Sequence, residues 1–345
     1  MVPELTTVAD DEVVVHLPGE VRTYHELDPS TSYHLDGVEA TTLARPGGTL
    51  VAVFATVNDV HFGETECGMV EGTDIGPVLR SRPDEPPYPE MMNRAAVAEI
   101  RALRRGAGPD AVIAKGDLTT RGVRAEFDAF LDCYGGFGDR LFTIRGNHDA
   151  QGERFADLTT QRVELDGAIL ALLDTTIERV ASGQLTADQL AWLDEVGRTA
   201  DRPVVVFGHH HPWNPDSAQR SNSCFGINPD DSEALVDVFA RRPALRGYFA
   251  GHTHRNRVRT FSRLPGIPVV EVASVKDFPG SWAEYRVFEG GIVQVHRRVS
   301  SPEALDWTDR TRAMFHGAYA AYSFGELADR CFGFGSHRPL STGCG

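Results

Sequence analysis

The sequence predicts a mixed α/β fold with a largely parallel core, preceded by a small β-rich segment and followed by a helical extension. Three observations predict it. Short apolar runs of the type that form strands buried on both faces recur from Leu50 onward. Stretches with helical periodicity lie between them, and nearly every apolar run ends abruptly in ionisable or amide side chains.

In chain order, "EVVVH", "EVRTYHEL" and "TSYHLDGV" within residues 12–45 are β-rich pieces separated by Pro-Gly, Asp-Pro-Ser and Asp-Gly turn signals, and they predict a small antiparallel β segment. "ARPGG", Ala44 to Gly48, then has linker composition. The core strands expected beyond it are "LVAVFATV", "DAVIAKGD", "RLFTIRGN", "AILALLDT", "PVVVFGHH", "RGYFAGHT" and "IPVVEVAS". Helices are expected at "PEMMNRAAVAEIRALRR", at "TADQLAWLDEV" with Thr186 and Gln189 spaced as a capping box, and at "DDSEALVDVFARR" with Asp230 and Glu233 spaced likewise. "WAEYRVFEGGIVQVHRRV" reads as a hairpin turning at Glu289-Gly290-Gly291. One or two helices should follow in residues 302–330, and then a frayed tail, "GFGSHRPLSTGCG". The division expected is 1–48 for the β-rich segment, 49–298 for the main α/β unit and 299–345 for the helical extension and tail.

Composition narrows the function classes. Set against 49 acidic side chains, 34 basic ones leave a formal charge of -15, and no Lys/Arg block is present, so a nucleic-acid polymer is not an expected partner. The N-terminus lacks a basic start and an apolar h-region, and no run of about 18 apolar residues occurs. A cytoplasmic location without membrane association is the expectation. Five cysteines, with no CxxC pair, indicate neither a disulfide framework nor a thiolate zinc site.

The chemistry is expected at the strand ends. "FATVNDVHFG" delivers Asp59 and His61, "VIAKGDLT" delivers Asp117, "FTIRGNHDA" delivers Asn147, His148 and Asp149, "VVFGHHHPW" delivers three histidines, and "YFAGHTHRN" delivers His252 and His254. In an open α/β sheet the carboxyl ends of the strands line the ligand crevice, so these groups should converge. Taken singly, each suits turn or capping duty; taken together they favour a metal site. Asp, Asn and His without cysteine suit transition metals such as Mn, Fe or Zn. The donors exceed the need of one ion, and two ions sharing a carboxylate commonly clamp an in-line displacement at phosphorus. Metal geometry alone does not rank His209, His210 and His211.

The ordered set DxH, GD, GNHD, a histidine before proline, and GHTH resembles the calcineurin-like metallophosphoesterase superfamily, across residues 50 to about 275. That resemblance implies a four-layer α/β/β/α sandwich. It implies that Asp59, His61 and His254 hold one metal ion, that Asn147, His210 and His252 hold a second, and that Asp117 bridges them. The histidine two places before proline is the family's ligand, here His210, and β alternation would turn His209 and His211 away. A metal-bridging hydroxide would attack phosphorus in line, His148 would stabilise the phosphate or protonate the leaving oxygen, and Asp149 would hold the His148 imidazole. The compact HHP and GHTH layout resembles the bacterial cyclic-nucleotide and glycerophosphodiester phosphodiesterases. A small phosphodiester such as a cyclic nucleotide is therefore the expected substrate, with a phosphomonoester as the alternative on the same core. A single-metal enzyme and a non-catalytic metal-binding scaffold are the rivals from other classes.

Other candidates carry bland readings. His16, His25, His34, His296, His316 and His337 lack partners at ligand spacing and read as surface or packing residues. Two long connections, residues 62–90 and 212–229, each follow a histidine at a strand end and are expected to wall the site. In them Arg80, Arg82, Arg220 and Asn222 are candidates for substrate phosphate, and Trp213 for stacking or loop packing.

Overall fold

Side chains along the core strands divide between two apolar layers by simple alternation. In Leu50–Val57, Phe54 packs into one layer while Ala55 and Val57 pack into another; in Ala111–Lys115, Ile113 joins Phe54 while Val112 and Ala114 face the other way. This alternation builds two stacked sheets in the computed structural model, which describes residues 3–70, 73–153, 160–221 and 225–335.

The first sheet runs Leu141–Ile144, Ala111–Lys115, Leu50–Val57, Ser281–Phe288, Gly291–Arg298, Phe332–Phe334. Its first three strands are parallel and the remainder antiparallel. The second runs Thr160–Leu165, Ala168–Leu173, Val204–Phe207, Leu245–Ala250, Val269–Glu271, Arg257–Arg259, with parallel pairing through the middle and antiparallel edges. Between the sheets lie Phe54, Ile113, Leu170, Phe207, Phe249 and Tyr285, with the rings of Phe54 and Tyr285 stacked at 4.5 Å. The outer face of the first sheet is covered by helices Tyr88–Ala102, Arg124–Tyr134 and Pro302–Thr311 through Met92, Ile100, Phe130, Tyr134 and Trp307. Helices Ala187–Thr199 and Pro229–Arg241 cover the second through Leu193, Val196, Leu235 and Phe239. The architecture is the expected α/β/β/α sandwich.

Local details refine the expectations. Thr186 and Gln189 form the capping box. The helix at Pro229 instead starts on Asn228, whose side chain accepts from the Asp231 amide; Pro229 at its first position presets φ, so Asp230 falls inside the first turn and Glu233 just beyond it. The connection 62–90 contains an antiparallel hairpin, Cys67–Val70 with Thr73–Leu79. Part of the expected frayed tail is a strand, since Phe332–Phe334 pairs with Ile292, Val293 and Gln294; residues 336–345, including His337, lie outside the described residues. Cys67, Cys133 and Cys331 are free and buried.

The N-terminal segment is antiparallel, Glu4–Val8, Val13–Leu17 and Glu20–Tyr24, with a separate hairpin Ser32–Leu35 and Val38–Thr41. Its first strand docks on the hairpin 281–298 and on Cys331, where Thr7 Oγ1 donates to the His296 carbonyl at 2.7 Å and the Val8 amide donates to Cys331 Sγ at 3.4 Å. Among the described residues no helix is long and apolar enough to cross a membrane.

Candidate metal centre

Parallel strands of both sheets end on the same side, and their carboxyl ends deliver the candidate side chains. Asp59 and His61 follow Leu50–Val57, Asp117 follows Ala111–Lys115, Asn147 and His148 follow Leu141–Ile144, His209 and His210 follow Val204–Phe207, and His252 and His254 follow Leu245–Ala250. Five of these residues, Asp59, His61, Asp117, His252 and His254, have left-handed backbones with φ between 48° and 69°. That conformation costs energy for any residue with a Cβ and concentrates where function demands it. The turns are tight. A Cβ on Gly146 would lie 2.2 Å from Asp117 Oδ1, and one on Gly116 would lie 2.5 Å from His209 Nδ1.

The donors form overlapping groups whose ligand atoms lie within 4.8 Å of one another: Asp59, His61 and His254; His61, Asp117 and His148; Asp59, Asp117 and His209; His209, His210 and His252. Asp117 is the link, its Oδ2 lying 3.6 Å from His61 Nε2 and 3.4 Å from His209 Nε2. Asp59 Oδ1 is 3.5 Å from His254 Nε2, and both Asp59 oxygens accept from the His252 amide, at 3.1 and 3.0 Å. Asn147 Oδ1 is 3.2 Å from His209 Nε2.

The sequence expectation favours His210, and the geometry groups both His209 and His210 with His252 as candidate ligands. Strand geometry ends at Phe207, so a two-residue alternation does not extend across Gly208. His209 is fully buried with Nδ1 2.9 Å from the Lys115 carbonyl and Nε2 toward Asp117 and Asn147. His210 adjoins His252 with ring centroids 4.6 Å apart, but its Nδ1 meets Thr175 Oγ1 at 2.8 Å and its Nε2 meets the Ala181 carbonyl at 3.2 Å. His211 is half-buried, 6.4 Å from the His252 ring.

Asp149 also differs from expectation. Its carboxylate accepts from the amides of Gly146, Leu118 and Thr119 and from Thr119 Oγ1, at 2.7 to 3.1 Å, and so ties the Asp117 turn to the Asn147 turn. The His148 imidazole is held by the Thr120 carbonyl, 2.8 Å from Nδ1. A carbonyl only accepts, so Nδ1 carries the proton and Nε2 is the free nitrogen, beside the His61 ring at 4.7 Å.

Charge balance within the site is internal. Burial alone would raise Asp59 and Asp117, but the surrounding imidazoles outweigh it, chiefly His254 and His209 respectively, and hold both carboxyls below their usual range. Burial would likewise lower His209 and His254, yet Asp117 and Asp59 push them up to about 9 and about 10. Burial keeps His61 and His210 well below the ordinary imidazole value and lowers His252 to about 3. Both ring nitrogens of His61 and Nδ1 of His252 are buried without a hydrogen-bond partner, while His252 Nε2 is held by the Phe225 carbonyl at 2.6 Å. An unpartnered buried polar atom costs about 1–3 kcal/mol. Lone pairs left bare in this way, among oxygen and nitrogen donors only, fit a transition metal.

The loop candidates stand apart. Arg80 pairs with Glu66, Arg82 with Glu85 and Asp306, and Arg220 with Asp230 and Glu233; Trp213 donates its amide to Ser232 Oγ at 2.8 Å. Asn222 lies outside the described residues. Sequence reasoning placed His209 behind the ligand and did not single out Thr120, Thr175 or Asp277, the last lying 3.8 Å from His254 Nδ1. Asp277 carried the same signal as the others, an acidic residue shortly after a core strand, Val269–Glu271.

A family model described as calcineurin-like phosphoesterase matches residues 52–256, from the first core strand through the GHTH turn. The chain belongs to the calcineurin-like phosphoesterase family. It thereby joins a group of metal-dependent phosphoric ester hydrolases. Among curated relatives, a glycerophosphodiester phosphodiesterase of Enterobacter lignolyticus is 28% identical over 50% of this chain and 67% of its own length. A cAMP/cGMP dual specificity phosphodiesterase of Mycobacterium tuberculosis is 29% identical over 49% of this chain and 55% of its own. The chain thus spans between roughly half and two thirds of the length of these relatives. A dimetal phosphatase of Danio rerio shares the calcineurin-like fold at a TM-score of 0.57 and 16% identity, over 73% of this chain and 98% of that one.

Proposed function

We propose that this chain hydrolyses a small phosphodiester, such as a cyclic nucleotide, using two transition-metal ions of the Mn, Fe or Zn type. Asp59, His61 and His254 would hold one ion, Asn147, His252 and His209 the other, with Asp117 between them and His210 behind His252. The observation that carries this reading is the position of Asp117 Oδ2 between His61 Nε2 and His209 Nε2, at 3.6 and 3.4 Å. The ions would supply positive charge that polarises water and the phosphoryl oxygens and stabilises charge growing at phosphorus. His148, fixed by Thr120, presents Nε2 toward substrate; protonated there, it neutralises phosphate charge or gives the proton to the leaving oxygen. Asp149 acts on the site by fixing the two turns that carry Asp117 and Asn147.

The similarity to phosphodiesterases supports a diester, and the net charge of -15 supports a small substrate over a nucleic-acid polymer. Residues 49–298 would form the catalytic unit, with 1–48 and 299–345 built onto it. The test is metal analysis together with rates on bis- and mono-p-nitrophenyl phosphate and cyclic AMP with Mn²⁺ added. About two ions per chain and faster turnover of the diesters are expected. Faster turnover of the monoester would make the protein a phosphomonoesterase; no turnover with less than about one ion per chain would make it a scaffold.

A further inference from the structure

The C-terminal extension reaches the metal centre through the Asp277 carboxylate and through the turn that carries His252 and His254. Asp277 is 2% exposed and lies on the segment that leaves the strand Val269–Glu271. Its Oδ2 is 3.8 Å from His254 Nδ1, on the opposite side of the ring from Nε2 and Asp59. Its Oδ1 accepts from Ser274 Oγ and from Tyr319 Oη, the latter at 2.8 Å, and Lys276 Nζ lies 3.2 Å from Oδ2. Lys276 is in turn 2.6 Å from Glu64.

The same segment is pinned from the C-terminal side at three successive residues. Trp307 Nε1 donates to the Lys276 carbonyl at 2.8 Å, Tyr319 reaches the Asp277 side chain, and the Phe278 amide donates to Thr311 Oγ1 at 2.9 Å. The helix Ala318–Phe324 also grips the turn that carries His252 and His254. Tyr322 Oη donates to the Thr253 carbonyl at 2.9 Å, and the Asn256 amide donates to the Ser323 carbonyl at 2.9 Å. Nothing in the hydrolysis of a phosphate ester requires these contacts, and their C-terminal partners, Trp307, Thr311, Tyr319, Tyr322 and Ser323, lie beyond residues 52–256 matched by the family model.

We propose that Asp277 is a positioning residue for His254, and that Tyr319 of the C-terminal extension holds Asp277 in place for that task. A histidine that binds metal through one ring nitrogen commonly donates the proton on its other nitrogen to a carboxylate, which fixes the tautomer and the ring plane. Asp277, 3.8 Å from Nδ1, is placed to accept a hydrogen bond from Nδ1–H on a small closing movement and so leave the Nε2 lone pair directed at the Asp59 side. The Tyr319 hydroxyl and Lys276 ammonium occupy Asp277 so that it neither rotates away nor takes up the proton itself. The C-terminal extension is thereby part of the metal centre.

This inference rests on the reading of His254 as a metal ligand, and the test separates the two. Metal content and chelator-competition affinity for Zn²⁺, with the Co²⁺ absorption spectrum, are measured on the full chain and on His254→Ala, Asp277→Asn and Tyr319→Phe, alongside unfolding of each metal-free protein. Asp277→Asn is expected to weaken one of the two ions by about 10–100-fold, leave the other unchanged and alter the Co²⁺ spectrum. Tyr319→Phe, which removes a single hydroxyl, is expected to weaken the same ion by a smaller factor with near-normal metal-free unfolding. Two tight ions in His254→Ala would refute the metal-centre reading itself. Loss of an ion in His254→Ala with no change in either other variant, or equal weakening of both ions, would overturn the role of Asp277. Should Asp277→Asn fail to fold, Tyr319→Phe decides alone.

Discussion

Single residues at the strand ends do the discriminating, and the sharpest case is the histidine triplet. His209 Nε2 lies between Asp117 and Asn147 at 3.4 and 3.2 Å, while both ring nitrogens of His210 are engaged by Thr175 and Ala181. His209→Gln is therefore expected to lose one ion and to lower turnover of bis-p-nitrophenyl phosphate beyond the range of about 10–100-fold typical of a residue behind a ligand, with His210→Gln inside that range. The reverse order, in rate and metal content, would assign the ligand role to His210. That Asp59, His61, Asp117, Asn147, His252 and His254 would gather at the strand ends was legible because each closely follows an apolar run, where a polar side chain has no packing reason to be. The order within the triplet was not legible. It depends on how the chain turns after Phe207, where Gly208 leaves no room for a Cβ, which would lie 2.1 Å from Tyr248 Oη. Asp149 likewise looked like a partner for its neighbour, yet its two oxygens are filled by the backbone of another turn.

At the scale of elements, the buried strands and the capped helix were legible because period and capping chemistry are local. The helix Arg124–Tyr134, the edge strand Thr160–Leu165 and the first strand Glu4–Val8 were not, because they are short and half-exposed and gain their order from neighbours distant in sequence. The docking of the N-terminal sheet is one such long-range contact, and it carries a pH dependence. Two buried histidines lie in it: His16 Nδ1 meets Thr6 Oγ1 at 2.9 Å, and His296 Nε2 lies 2.6 Å from Ser281 Oγ. Burial, then the nearby Arg298 and Arg312, lowers His16 to about 3; burial, then Arg330 and Arg298, holds His296 well below 6.5. Below about pH 6.5 the unfolded chain binds protons that the folded chain does not. Stability is therefore complete above that pH and falls on acidification, by up to about 1.4 kcal/mol per pH unit for each histidine. Urea unfolding at pH 7.5 and 5.5 should show this loss, and His16→Gln and His296→Gln should each flatten it. An unchanged slope in both variants would place the acid sensitivity elsewhere.

For the molecule as a whole, the candidate centre lies where two sheets meet, and its donors come from both. Asp59, His61, Asp117 and Asn147 belong to turns of the first sheet, His209, His252 and His254 to turns of the second. The apolar layer between the sheets holds them face to face, but the strand-end turns themselves carry left-handed backbones and bare imidazole nitrogens. Metal binding should relieve that cost and tie the sheets together, so that its free energy appears as folding stability. A ligand that binds only the folded state adds about 2.7 kcal/mol at 100 times its dissociation constant and about 4.1 kcal/mol at 1,000 times. Thermal unfolding should therefore shift upward with Mn²⁺ concentration and downward on chelation. Asp117→Asn, which removes the charge shared by both halves of the centre, should respond much less to either treatment. A midpoint in the unsubstituted chain that moves with neither metal nor chelator would show that these side chains are held by packing alone.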